Sequence, residues 1–463
     1  MTEQDMGMTR KLAYFIATFD VSKIPGEAYE HAKVAFMDWL AVTVGGVDDP
    51  LVYKLINYAE TMGGNPQATL IGLSAKTSVS QAALINGSAS HVLDYDDTLV
   101  SFFGHPSVTI FPSLLALSEW KQKSGHDFLT AYLIGLQTGA TIGVCAGFDH
   151  YMAGWHATAT LGHLASAAAC ARLLGLTQKQ TAYALGIAAT QSSGLKRVFG
   201  TMCKPFHAGR ASQAGLMAAL LAQNDFTSAE DILEGPQGFF AAFKGGVNPE
   251  VLSLLGLGWD VVNISQKYHA SCHATHSPLE AALTLIKEQN IELPDIKTIT
   301  VYSSKLALDA AGKTTPSTGL EGKFSIPFCV ANALCTGITG NQAFTDENVH
   351  DSAIRQLMAK INVVLDEKKL ALEAHVFVET LDGRKYEGFS DILQQIPPLP
   401  IKKDRVRKKF QDLCGARMKK KQVELIAGNI DRLETENNMA DFIQKGFASI
   451  QDRKNNRKSL IGR

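Results

Sequence analysis

Between Asp127 and Asp149 the chain runs FLTAYLIGLQTGATIGVCAGF without a single charged residue. As a helix, a run of this length reaches across the ~30 Å hydrocarbon core of a bilayer, so it belongs either in lipid or inside protein. Gln137, three threonines and four glycines dilute its apolar character, and Ala/Gly-rich segments of the same texture recur at 157–171 and 208–223. Several such segments satisfy one another by packing face to face. The sequence therefore predicts a helix buried among helices and no membrane span.

With 463 residues, 46% hydrophobic and 19% charged, the chain has the balance of a folded soluble protein and the length for two cores. From about residue 8 to 260 apolar residues recur at helical spacing, as in GEAYEHAKVAFMDWLAVTVGG and QTAYALGIAATQ. In TSAEDILEG, Thr227 and Glu230 fit a capping box and Gly235 a C-terminal cap. The texture changes after GLGWDVVNISQKYH. Short β-like runs, KTITVYSS and EAHVFVETLDGRKYEGF, then alternate with the helical stretches PLEAALTLIKEQ and IPFCVANALC, and Asp382-Gly383 is placed for a hairpin turn. The lysine-rich end returns to helical texture. The predicted fold class is mainly α: a large all-helical domain over 1–264 and 400–463, plus a smaller α+β domain over 265–399.

Charge is unevenly placed. Residues 401–463 hold seventeen Lys/Arg against eight Asp/Glu, net +9, while the first 400 residues hold 27 against 37, net −10. KKDRVRKKF and RMKKKQ lack interleaved aromatics, so they read as a helix face that is solvated or docked on the acidic body rather than as a nucleic-acid surface. The seven cysteines form no C-x-x-C pair, which argues against a zinc ribbon or a cysteine-ligated cluster and predicts free thiols. MTEQDMGMTRKLAYFIATFD has no apolar core ending in small residues, so a cytoplasmic location is the default.

Ten of the thirteen histidines lie between His91 and His276, mostly in low-charge segments. HVLDYDDTLVSFFGHPS adds Asp94, Asp96 and Asp97 to His91 and His105. Carboxylates crowded in a poorly solvated site cannot all ionise cheaply, so one can hold a proton or fix a neighbouring histidine; capping or turn roles compete for each of them. His105 stands at a Gly-His-Pro corner before a helix that Ser107 can start, a place suited to donating to a carboxylate. In DHYMAGWHATATLGH, His156 opens a small-residue helix with Tyr151 upstream, and both are proton-transfer candidates; His163, inside the apolar face, reads as a core histidine. Lys204, ahead of Pro205 and another small-residue helix, suits an anion or a base of lowered pKa. KYHASCHATHSPLEAAL brings Lys267, His269, His273 and His276. Their spacing resembles a metal-ligand pattern, but Pro278 starts the helix near Ser277 and leaves the histidines in a loop, so no metal is expected.

Three resemblances meet in these motifs. DYDDT is similar to the acid motif of class II terpene cyclases, but no Gln stands six residues before any of the four tryptophans. His105, His126-Asp127 and Asp149 imitate HD phosphohydrolases, yet KSGHDFLTAY reads as a surface helix start. The third covers nearly the whole chain: HVLDYDDT…GHPSVTIFPSLLAL, YMAGWHATATLG, GTMCKPFHAGRASQAGLMAALLA, ILEGPQGFF, YHASCHATHSPLEAA and KFSIPFCVANAL resemble the MmgE/PrpD family in order and spacing.

That resemblance implies a helical domain completed by the C-terminal tail, a smaller α+β domain, a homodimer, and an active site between the domains. It puts Asp94, Thr98, His105, His156, Lys204 and Lys267 at active-site positions. Tyr151 and Lys204 match the two bases of epimerase-like members. Decarboxylase-like members are expected to have a tyrosine at Phe328 and a histidine at Cys272, so this chain departs from them twice. The reactions implied move a proton on a carbon next to a carboxylate of a small di- or tricarboxylic acid. The expectation is a cofactor-independent lyase of dehydratase type, with Lys204, His156, Tyr151, His105 and Asp94 catalytic and Thr98, Lys267, His276 and Phe328 binding substrate. An aminodicarboxylate epimerase such as one for iminodisuccinate, a cis-aconitate-type decarboxylase and a metabolite-binding scaffold are the alternatives. Asp96 and Asp97 are expected to be architecture.

Overall fold

The computed structural model describes residues 6–73 and 75–447. Within them the chain is mainly α, with twenty α-helices and two small sheets. It divides into two compact units: one comprises the segments up to 92, 96–266 and from 399 on, the other 93–95 and 267–398.

The first unit is built on close helix contacts that small residues permit. The charge-free run lies in the helix Gly125–Met152, started by Ser124, whose Oγ accepts from the Asp127 amide. It is long and apolar enough to cross a membrane, and 94% of its most apolar stretch is buried in protein. At Gly147 the backbone leaves helical geometry (φ +71°), which kinks its last turn. A Cβ at Gly135 would stand 2.5 Å from the Cβ of Ala169 in the helix Ala157–Leu174. Likewise a Cβ at Gly209, in the helix Cys203–Gln223, would meet the Leu84 carbonyl oxygen of the helix Val79–His91 at 2.1 Å. The Ala/Gly texture read from the sequence is thus the condition for backbones to approach this closely.

The basic C-terminal segment belongs to this unit through the helices Leu399–Gly415, Lys420–Asp431 and Met439–Phe447. Two of its lysines are buried. Lys409 Nζ pairs with Asp38 Oδ1 at 2.7 Å, and Lys402 Nζ donates to the carbonyls of Val262 and Ile264 at 2.8 and 2.9 Å. Removing one partner of such a buried pair costs about 3–5 kcal/mol, because the other charge is left uncompensated. The segment from 448 on lies outside the described residues.

One local expectation is corrected. TSAEDILEG forms turns, not a capped helix. Its carboxylates are drawn to the first helix of the chain: Glu230 pairs with Arg10 at 3.2 Å, and Glu234 accepts from the amide and hydroxyl of Thr9. These tertiary bonds outcompete the local cap.

The second unit holds a four-stranded sheet in the order β4-β3-β5-β6, where β3 is Ile296–Ser303, β4 Ile361–Leu365, β5 Ala374–Thr380 and β6 Lys385–Ser390. β3 runs parallel to β4 and antiparallel to β5. Alternation along β3 and β5 buries Ile299, Val301, Val376 and Val378 in a core shared with the helices His276–Gln289 and Ile326–Thr336. The β5–β6 turn falls at Asp382-Gly383 as expected, with Gly383 at φ +87°. β1 (Ala68–Leu70) and β2 (Ala75–Thr77) form a separate hairpin in the first unit.

Candidate active site

Four of the close-packed helices bring titratable groups together at their ends. His91 is the last residue of Val79–His91; His105 and Pro106 precede Ser107–Lys121; His156 caps Ala157–Leu174; Lys204 and His207 lie in the first turns of Cys203–Gln223. Three of these ends are N-termini, whose unpaired amides and dipole favour anions.

Asp96 is the hub. Its carboxylate lies 2.9 and 3.0 Å from Nδ1 of His91, and its Oδ2 is 2.8 Å from Nδ1 of His105, off the line of an ideal hydrogen bond. His91 and Asp96 are buried, while the His105 side chain keeps 13% exposure. The His156 ring stacks 6.2 Å from His91, and its Nδ1 meets Nδ1 of His207 at 3.1 Å, which requires one ring to donate and the other to accept. Phe199 closes the group, edge-on to His156 at 4.9 Å and 5.6 Å from Lys204 Nζ.

Burial and charge set the protonation states. Burial opposes ionisation of Asp96, but the charges and hydrogen bonds of His91 and His105 outweigh it and hold the carboxyl well below its ordinary range. Burial drives His91 down to about 4, with Asp96 only partly offsetting it. His156 falls well below its ordinary value through burial and the positive charge of His91 and Lys204, and burial lowers His207 as well. At neutral pH the group therefore holds an ionised Asp96 carboxylate and neutral imidazoles at His91, His156 and His207. Facing that carboxylate, neutral His91 must carry its proton on Nδ1, which leaves Nε2, buried and without a partner among the described residues, as a base. The same two imidazoles and carboxylate are a possible metal-ligand set. The His91 contacts of 2.9 and 3.0 Å are those of a shared proton, and all three separations are shorter than those between ligands about 2.0–2.1 Å from a tetrahedral ion.

Asp97 faces other partners. Its Oδ2 accepts from Ser107 Oγ at 2.5 Å, and that hydroxyl also contacts the Tyr132 hydroxyl at 2.9 Å. Burial, then repulsion from Asp38, lifts Asp97 to about 8. It anchors the helix that follows His105. Thr98 N and Ser265 N donate to each other's carbonyls at 2.9 Å, an antiparallel bridge that fixes the end of the acidic loop. Tyr151 lies under the ammonium of Lys196, 3.6 Å from its ring, and stacks with Phe148.

The second unit assembles its own group. Lys267 Nζ donates to the Asp94 carbonyl at 2.7 Å and pairs with its carboxylate at 3.2 Å; Lys267 is 1% exposed. Lys323, also buried, donates to the Leu93 carbonyl at 3.2 Å and to Asn341 Oδ1 at 3.1 Å. His276 meets the rings of His269 and His273 edge-on at 4.9 Å each, and burial, followed by repulsion from His273, His269 and Lys267, holds it well below its ordinary value. The helix begins at His276, one residue earlier than expected, and a 3-10 turn over His273–Thr275 leads into it, so only His269 of the three stands in the loop. Phe328 is buried in the hydrophobic core, against Phe344 and the backbone of Gly322.

The sequence reading thus singled out His105, His156 and Lys204 in the first group and Asp94, Lys267 and His276 in the second. It gave no role to His91, His207 or Lys323 and treated Asp96 as scaffolding. His207 had a signal, three residues after Lys204 on one helix face. His91 and Asp96 meet only because the chain turns tightly after residue 91, a geometry no helical or strand period encodes.

The chain matches the MmgE/PrpD N-terminal domain over residues 10–252 and the MmgE/PrpD C-terminal domain over residues 269–433. It belongs to the MmgE/PrpD family. It is 27% identical over 465 residues to a cis-aconitate decarboxylase-like protein of Aspergillus oryzae, covering 94% of this chain and 96% of that one. It is similar to cis-aconitate decarboxylase of Homo sapiens, 24% identical over 443 residues and 92% of each chain. It is also similar to 2-methylcitrate dehydratase of Escherichia coli, 23% identical over 397 residues, 78% of this chain and 80% of that one.

Proposed function

We propose that this chain is a cofactor-independent lyase of dehydratase type acting on a small tricarboxylic acid. The observation that carries the reading is the first-unit group: ionised Asp96, neutral His91 and His156, and Lys204, set at helix ends in surroundings of low polarity. In such a reaction a base takes the proton from the carbon beside a carboxylate. The electron pair forms the carbon–carbon double bond, the neighbouring C–O bond breaks, and the departing hydroxyl takes a proton from an acid to leave as water. Negative charge grows on the carboxylate as the proton leaves, and a lysine and helix N-termini stabilise it. Lys204 and His156 are the proposed proton-transfer pair; His105, held by Asp96, is the proposed donor to a carboxylate or to the leaving hydroxyl. The resemblance assigns Asp94, Thr98 and Lys267 to the same reaction, and His276 is a proposed substrate-binding residue beside them.

Decarboxylation of a cis-aconitate-type acid is the second reading, favoured by the coverage of the decarboxylase relatives, 92–94% of the chain against 78% for the dehydratase. There the bond to one carboxylate breaks, CO2 leaves, and the acid returns a proton to carbon. Phe328 and Cys272, at the two departures from decarboxylase-like members, weigh against it. Incubation with 2-methylcitrate and with cis-aconitate separates the readings: a new ultraviolet-absorbing alkene from the first supports the dehydratase, and captured CO2 from the second supports the decarboxylase. Solvent deuterium in recovered substrate with inversion and no alkene would instead mark an epimerase. Selective thermal stabilisation by these acids with no turnover would mark a binding scaffold.

A further inference from the structure

The residues Leu93, Asp94 and Tyr95 form a short strap that packs with the second unit. Asp94 sits at φ +52°, in the left-handed region that a non-glycine residue seldom occupies, though aspartate tolerates it better than most. Such a conformation persists only where the surroundings fix it. Three bonds do so here, one per residue: Lys323 Nζ to the Leu93 carbonyl at 3.2 Å, Lys267 Nζ to the Asp94 carbonyl at 2.7 Å, and the Tyr95 hydroxyl to the Tyr268 carbonyl at 3.0 Å.

Lys267 already belongs to the residues assigned to the reaction, whereas Lys323 has no assignment. Its placement is specific at both ends. The Lys323 carbonyl accepts from the Cys272 amide at 2.9 Å, Nζ is shared between Leu93 and Asn341 Oδ1, and the Phe344 ring lies 5.6 Å from the ammonium. A buried lysine is costly unless its proton donors are used, and here one of them is spent on main chain directly beside Asp94.

We propose that Lys323 is a positioning residue: together with Lys267 it clamps the strap's carbonyls and so sets the direction in which the Asp94 carboxylate points. The clamp depends on the ammonium. Burial lowers Lys323 to about 8; the titratable groups that face it are Asp94 from the strap, Lys267 ahead of the histidine motif and Cys329 from the helix Ile326–Thr336, the first and last opposing the shift and Lys267 adding to it. Above that pH the clamp loses its charge. Arginine, always protonated, would keep the charge.

The consequence for catalysis rests on the proposed lyase reading; the clamp itself does not. Hydrogen exchange of the full-length protein, followed on a peptide spanning residues 91–98, tests the clamp without any substrate. Lys323→Met is expected to raise exchange in that peptide about 10-fold or more, the effect of losing a charge-assisted bond, with other peptides unchanged. Should Lys323→Met fail to fold, the wild type suffices: after correction for intrinsic rates, exchange of the same peptide rises between pH 7 and 9, and Lys323→Arg abolishes that rise. A strap that exchanges at the same rate in Lys323→Met, or at the same corrected rate across that pH range, overturns the clamp. On the substrate that the wild type turns over, 2-methylcitrate or cis-aconitate, Lys323→Met lowers kcat on the order of 100-fold with little change in KM, and Lys323→Arg recovers much of it and flattens the alkaline limb. A loosened strap with unchanged kcat overturns the positioning role. A loosened strap in a protein inert toward both acids supports the clamp and counts against the lyase reading alone.

Discussion

Asp96 faces the imidazoles of His91 and His105, whereas Asp94, two residues earlier, pairs with the ammonium of Lys267 and is flanked by that of Lys323. The partners decide what each carboxylate is suited to. His91, held below its ordinary pKa with its proton turned toward Asp96, presents a neutral ring nitrogen, so the Asp96 group fits proton transfer. Two ammoniums set against a carboxylate and main-chain carbonyls supply charge in a fixed geometry, so the Asp94 group fits the recognition of anions and the fixing of backbone. The asymmetry extends to the neighbours: His156 and Lys204 accompany the first group, while the second draws His276 into a cluster of three histidines.

The sharpest way to break this comparison is Asp96→Asn, which keeps the shape and removes the charge that sets the tautomer of His91. By analogy with the loss of a histidine-orienting carboxylate, kcat is expected to fall on the order of 10^4-fold, measured on whichever acid the wild type converts. Asp94→Asn, where a fixed pair is weakened, should lower kcat less than Asp96→Asn, measured on the same acid. His156→Ala and Lys204→Ala are each expected to lower kcat by about 10^2–10^4-fold, measured on the same acid. If neither changes turnover, the first group is not the catalytic one.

Acid stability is the next test. The folded-state pKa of His91 lies at about 4, below that of the unfolded chain, so the native state binds fewer protons between the two values. Its contribution is present above pH 6.5 and lost as pH falls toward 4. Thermal unfolding followed from pH 7 to pH 4 should therefore decline in the wild type, and less steeply in His91→Asn. The smallest effect is expected at Asp97. Its carboxyl, lifted to about 8, is largely protonated at neutral pH, so Asn reproduces its form and kcat should stay within about threefold. The sign on stability is opposite to that of His91: the wild type loses the Asp97 contribution as pH rises from its unfolded value through 8, and Asp97→Asn does not.

The contrast also marks what the sequence could tell. Apolar periodicity and small-residue texture made the helical body legible, including the largely buried run 128–148, because both express packing that repeats along the chain. The hairpin at Asp382-Gly383 was legible because its turn chemistry is local. β4 was not, since INVVL is an edge strand with a weak alternation, and TSAEDILEG misled because distant Arg10 and Thr9 compete for its carboxylates. Within the site, residues that open or close helices stood out as motifs. The partition of two neighbouring aspartates between different groups did not, because it depends on a left-handed residue at 94 and on lysines 173 and 229 positions downstream of it, Lys267 and Lys323.

The protonation state of the first group can be read directly by 15N NMR of histidine-labelled protein at pH 7, with His91→Asn and His156→Ala used for assignment. The account predicts neutral rings for both, with the His91 proton on Nδ1 toward Asp96. A doubly protonated imidazolium at either position would contradict it.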